Sequence, residues 1–105
     1  MSHEEVLKMI EETGLPSAYD HFVEGEAPEP PFLVFLYLRA DNFAADGIAY
    51  FKINQLDLEL YTDLKQPELE EVIEAVLLKH GNFYGKSEVW IESERLYEAL
   101  YEMEV

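Results

Sequence analysis

A chain of 105 residues with 49% apolar side chains, seven Tyr and six Phe is long enough for one folded domain, too short for two ordinary ones and too apolar for disorder. Its 23 acids against seven Lys and Arg give a net charge of −16, which disfavours direct contact with nucleic acid or an anionic membrane, because both need basic side chains. It has no cysteine, so disulfides, thiolate catalysis and cysteine-type zinc sites are excluded.

The N-terminal stretch "MSHEEVLKMIEETG" carries acids where a signal peptide would carry positive charge. The longest apolar run, "FLVFLYL", is too short to span a bilayer, so a soluble protein used without signal-peptide export is expected. Ser2-His3-Glu4-Glu5 has the form of a capping box and predicts a helix from about residue 3. Val6, Leu7 and Ile10 form its apolar face with Met9 beside them, and Gly14 followed by Pro16 supplies the stop. In "SAYDHFVEG", Tyr19, His21 and Val23 alternate with Asp20 and Phe22, as in a short strand. "EGEAPEPP", Glu24 to Pro31, holds three prolines and three glutamates and reads as an exposed connection.

Phe32 to Leu38 is a continuous apolar run bounded by Pro31 and a polar stretch, which predicts a strand buried on both faces. "RADNFAADG", Arg39 to Gly47, reads as a polar loop with Asp46-Gly47 as its turn signal and Phe43 alone in its middle. From Ala49 to Tyr61, Leu56, Leu58 and Leu60 alternate with Asp57, Glu59 and Tyr61, the period of a strand with one wet face. Pro67 falls at the first position of a second helix, whose start is crowded by Glu68, Glu70 and Glu71 where the helix dipole favours negative charge. Leu69, Val72, Ile73, Val76 and Leu77 make its apolar stripe, and Gly81 ends it.

In the last quarter, Tyr97, Ala99, Tyr101, Met103 and Val105 alternate with Glu98, Leu100, Glu102 and Glu104, a period of two over nine consecutive residues. Period two outweighs the helical match of Leu96, Leu100 and Met103, so strands over about 83–91 and 97–105 are predicted, joined by a turn at Ser93-Glu94. The order α-β-β-β-α-β-β predicts a single α+β domain over residues 1–105: a mostly antiparallel sheet of about five strands with two helices on one face. The terminal strand is a candidate edge that a neighbouring copy could pair with, and its charges would limit uncontrolled pairing.

The chain carries no nucleophile elbow, phosphate loop or dinucleotide turn. His3, His21 and His80 are far apart and lack metal-ligand spacing. Asp57, Glu59 and Tyr61 share one strand face, and Asp63-x-Lys65 imitates the end of a metal-dependent nuclease motif. Such triplets arise by chance among 23 acids, and few bases remain to hold a substrate backbone. No cofactor, catalytic residue or metal ligand is therefore expected.

The stretches "AYDHF", "PFLVFLYLRADNFAADGIAYFK", "LELYTDLKQPELEE" and "SEVWIESERLYEALYEMEV" together resemble small proteins from the tail-gene block of tailed phages and prophages of Gram-positive bacteria. The resemblance runs from Gly14 to Val105, and none of its motifs is a catalytic signature. It implies a tail-completion or tail-terminator protein of a long non-contractile tail. Such a protein is an α+β domain that closes into a ring, usually of six copies, at the head-proximal end of the tail tube. Implied partners are further copies of the chain, tail-tube proteins and neck proteins, with no direct nucleic-acid or membrane binding. The implied location is the bacterial cytoplasm during assembly and then the virion tail. The residues singled out for such contacts are Asp41, Asn42 and Phe43, the "EGEAPEPP" segment, and Tyr97 and Tyr101 of the terminal strand. Competing readings are a neck or head-closure adaptor, an acidic DNA mimic that blocks a host nucleic-acid-binding protein and, more distantly, a metal-dependent enzyme. A negative wall past which DNA slides would also account for the charge.

Overall fold

The computed structural model describes residues 1–45 and 48–105, the side chains of residues 39–53 excepted. Helix α1 spans His3–Glu11 and opens on the predicted capping box, with the Glu5 amide donating to Ser2 Oγ at 3.1 Å and the Ser2 amide donating to Glu5 Oε1 at 3.0 Å. Its buried face is Val6, Met9 and Ile10, whereas Leu7 remains partly in solvent. A face built on positions 6, 9 and 10 follows the i, i+3, i+4 rule, and Leu7 lies to one side of it.

Strand β1 is only Ser17–Tyr19. It stops short of the expected His21 and Val23 because Asp20 turns to φ 66°, a left-handed conformation that ends an extended run. The following segment holds no strand or helix, and Glu24–Ala27 is exposed, as expected of "EGEAPEPP".

Strands β2 (Phe32–Ala45) and β3 (Ile48–Thr62) form one long antiparallel hairpin. The expectation of a loop over Arg39 to Gly47 is corrected: backbone pairing continues from Arg39↔Gln55 to Ala45↔Ile48. A tight turn leaves both arms of a hairpin equally long, so a strand starting near Ala49 requires a partner over 40–45. Asp46 and Gly47, the predicted turn, lie outside the described residues. Leu38 drops out of the register between the Tyr37↔Leu56 and Arg39↔Gln55 pairs and is exposed, so burial on both faces extends only over Phe32–Phe35.

Helix α2 spans Pro67–Lys79, with proline in its first turn and Ile73 and Leu77 buried. Leu69 and Val76 pack at the margin of the core. Val72, expected in the stripe, is half exposed, and Glu70 is buried in its place. The helix closes at Gly81 (φ 78°), with the Asn82 amide donating to Leu77 O at 3.0 Å.

Strands β4 (Tyr84–Ile91) and β5 (Leu96–Glu104) form the second hairpin, as the C-terminal alternation predicts. The sheet order is β1-β2-β3-β5-β4, with β1 parallel to β2 and the other pairs antiparallel. The predicted α+β architecture is therefore observed. One detail is corrected: the terminal strand β5 lies inside the sheet, between β3 and β4, and β4 is the edge. A chain end has no fixed place in a sheet; here β3 and β5 share the buried rows Leu56↔Met103, Leu58↔Tyr101 and Leu60↔Ala99.

Those rows continue through Leu33 and Phe35 of β2, and Val6, Met9, Ile10, Ile73 and Leu77 cover them from the helices. Both helices thus pack on one face of the sheet. No helix among the described residues is long and apolar enough to cross a membrane.

Candidate interaction surfaces

On the helix-covered face, acids meet lysines. Glu70 is 4% exposed and accepts from Lys65 Nζ at 2.9 and 2.6 Å and from Lys86 Nζ at 2.7 Å. Burial pushes its carboxyl up, but the two ammonium groups outweigh that and hold it below the usual range. Glu74 accepts from Lys86 and from the Tyr101 hydroxyl at 2.7 and 2.8 Å, and Lys65 also reaches Glu88. The network ties α2 to β4 and to the loop before the helix. Tyr101 is fully buried, and burial together with its bond to Glu74 pushes its hydroxyl well up.

The opposite face carries no helix among the described residues. Strand alternation puts Phe32, Val34 and Leu36 there from β2, Asp57, Glu59 and Tyr61 from β3, and Glu98, Leu100 and Glu102 from β5. Phe32 stacks on Tyr61 at 5.3 Å, and the Tyr61 hydroxyl donates to Glu59 at 2.8 Å. Burial raises the Glu59 carboxyl, with further lifts from Asp57 and Asp20, against the hydrogen bond from Tyr61. Burial raises Glu98 as well, followed by the charges of Glu59, Asp57 and Glu94. Asp57 is 7% exposed, and its Oδ1 has no hydrogen-bond partner among the described residues. Beside this cluster, a shallow hollow of about 230 Å³ lies between Phe22, Phe32, Val34, Tyr61 and the acids Glu59 and Glu94.

Of the nuclease-like Asp63-x-Lys65 triplet, Asp63 is exposed and Lys65 is engaged by other acids. Lys65 is held by Glu70 and Glu88 on the helix side, away from the Asp57–Glu59 face. Each histidine has a local partner: His3 Nδ1 meets the Tyr37 hydroxyl at 2.8 Å, His21 meets Asp20 at 2.9 Å and His80 meets Glu12 at 3.1 Å. Among the described residues no three His, Asp or Glu side chains are grouped so as to hold a metal ion.

Of the residues singled out for contacts, Asp41, Asn42 and Phe43 pair through their backbones with Ile53, Lys52 and Phe51, and their side chains lie outside the described residues. Tyr97 is half-buried against Trp90, with ring centroids 4.7 Å apart. Tyr101 is in the core, which leaves it no surface to offer a partner in this fold. The fold does not bring these residues together. The surface that sequence reasoning missed is the β4 edge, where Phe83 is 89%, Val89 53% and Trp90 39% exposed. Its signal, exposed apolar residues on an outer strand and just before it, becomes readable only once the sheet order is known. No family model and no curated protein matches the chain.

Proposed function

We propose that this protein is a structural component of a phage or prophage tail, of the tail-completion or terminator type, which acts by associating with copies of itself and with tail-tube and neck proteins. The observation that carries the reading is a small α+β domain with one sheet face free of helices among the described residues, an eight-residue edge strand and a hairpin of fourteen- and fifteen-residue arms. A hairpin of this length has more backbone than the core uses, which suits reach toward a neighbouring subunit. The resemblance of residues 14–105 to tail-block proteins supplies the particular role. The acidity fits a ring through which DNA passes, because carboxylates repel phosphates.

The reading is tested by deleting the gene from the phage or prophage that encodes it and imaging the lysate by electron microscopy. Filled heads beside unjoined or overlong tails are expected. Normal, infectious virions would remove the reading.

The acidic cluster on the open face gives the DNA-mimic reading its specific support. That reading requires a stable complex between this chain and a basic host protein, with Glu59 and Glu98 at the contact.

A further inference from the structure

Strand β4 is an outer strand of eight residues without proline, and the other outer strand, β1, has only three. An uncovered edge of that length offers a row of free backbone donors and acceptors to another strand. Several apolar side chains at this edge stay in solvent in the single chain: Val89 and, in part, Trp90 within the strand, and Phe83 just before it at 89% exposed.

We propose that the β4 edge pairs with the β4 edge of a second copy, antiparallel, across a two-fold axis through Ser87. A two-fold antiparallel contact must be self-complementary, because each residue on one copy meets its mirror position on the other. With Ser87 facing Ser87, Lys86 stands opposite Glu88 of the second copy, twice over. Tyr84 meets Trp90 on the same side of the sheet. On the other side Phe83 meets Ile91, and Val89 meets Gly85, whose missing side chain leaves it room.

Charge selects this register. An edge strand turns alternate residues outward, so alternative registers slip by two residues. A slip one way sets Lys86 against Lys86, and a slip the other way sets Glu88 against Glu88. Both residues retain exposed surface beside their intrachain partners, with side chains 34% and 38% accessible. The result is a continuous ten-stranded sheet with both pairs of helices on one side.

A second copy is the occupant because the edge complements itself, in residue pairs as well as backbone. Each copy carries a net charge of −16, so long-range repulsion opposes pairing and salt relieves it. The proposal concerns the free protein and does not rest on the tail reading; a two-fold pair is also distinct from a head-to-tail ring contact.

The test uses the absence of native cysteine. In the proposed pair the two Ser87 Cα atoms stand about 4.5–5.5 Å apart, inside the span a disulfide bridges. Ser87→Cys should therefore form a disulfide-linked dimer under mild oxidation, faster as NaCl is raised, while Ser93→Cys in the exposed β4–β5 turn should stay monomeric. Ser87→Asp, exposed in the single chain, sets like charges face to face and should weaken the dimer at least about tenfold in sedimentation equilibrium. Phe83→Ser should also weaken it without loss of fold. Equal cross-linking at 87 and 93, no cross-link at 87, or an unmodified protein that sediments as a monomer at all salt concentrations would overturn the proposal.

Discussion

Replacing Glu70 by glutamine examines how the second helix is fastened to the sheet. The carboxylate is 4% exposed and is held by two ammonium groups at 2.6–2.9 Å. A hydrogen bond to a charged group contributes roughly 1.5–3 kcal/mol where both partners are buried. Lys65 and Lys86 keep 40% and 34% of their side-chain surface in water, and each has a second acid, Glu88 or Glu74, to turn to. Solvent screening and that fallback reduce the loss to about 1.5–2.5 kcal/mol for the two contacts together. In a domain of this size that lowers Tm by roughly 6–15 °C. Urea unfolding at pH 7 should show a lower midpoint with an unchanged slope.

The pH dependence has a definite sign. The folded-state pKa of Glu70 is depressed below its ordinary 4.5, so its stabilisation is present above that value and disappears as pH falls through the folded-state value. The difference between the two proteins should therefore close in strong acid. A cost below about 0.5 kcal/mol at pH 7, the ordinary scatter of surface substitutions, would refute the fastening role, as would an equal cost at every pH. Glu70→Leu offers a second view: a gain in stability would show that desolvating the carboxylate costs more than its lysines return.

Three further outcomes follow from the fold. Leu58→Ala removes a fully buried side chain at the centre of the sheet, between Phe35 and Tyr101, and should cost about 3–4 kcal/mol in urea unfolding. Ser2→Ala breaks the capping box and should cost about 1 kcal/mol, with faster amide exchange confined to α1. Glu98→Gln should stabilise the protein at neutral pH by roughly half a kcal/mol, because it removes a partly buried charge and relieves the neighbouring like charges. Its folded-state pKa is raised, so the gain should vanish in acid below the ordinary carboxylate range and grow as pH rises through the folded value.

Much of the fold was legible in the residues because its signals are local. The Ser2–Glu5 box, Pro67 at a helix start and the alternation from Tyr97 to Val105 each act within one turn or one strand, and each element appears as predicted. The failures involve partners distant in sequence. Arg39–Ala45 reads as a loop by composition, yet its backbone is fixed by pairing with Ile48–Gln55. Val72 and Glu70 exchange their expected burial because Lys65 and Lys86, from outside the helix, satisfy the acid. The contact residues were less legible still. Tyr101 alternates like a half-exposed strand residue, but both helix layer and sheet close over it, and β4 becomes an edge only through the placement of β5 beside β3. Alternation shows which residues share a face; it does not show which strands end up outermost.

The central claim, that the chain serves as an assembly subunit of a tail, is tested most directly by locating it in the particle. Virions carrying an epitope fused to the C-terminus, decorated with gold-conjugated antibody and imaged by electron microscopy, should show label in a collar where the tail meets the head. Particles that are infectious and complete yet bear no label, with the tagged protein found only free in the lysate, would contradict it.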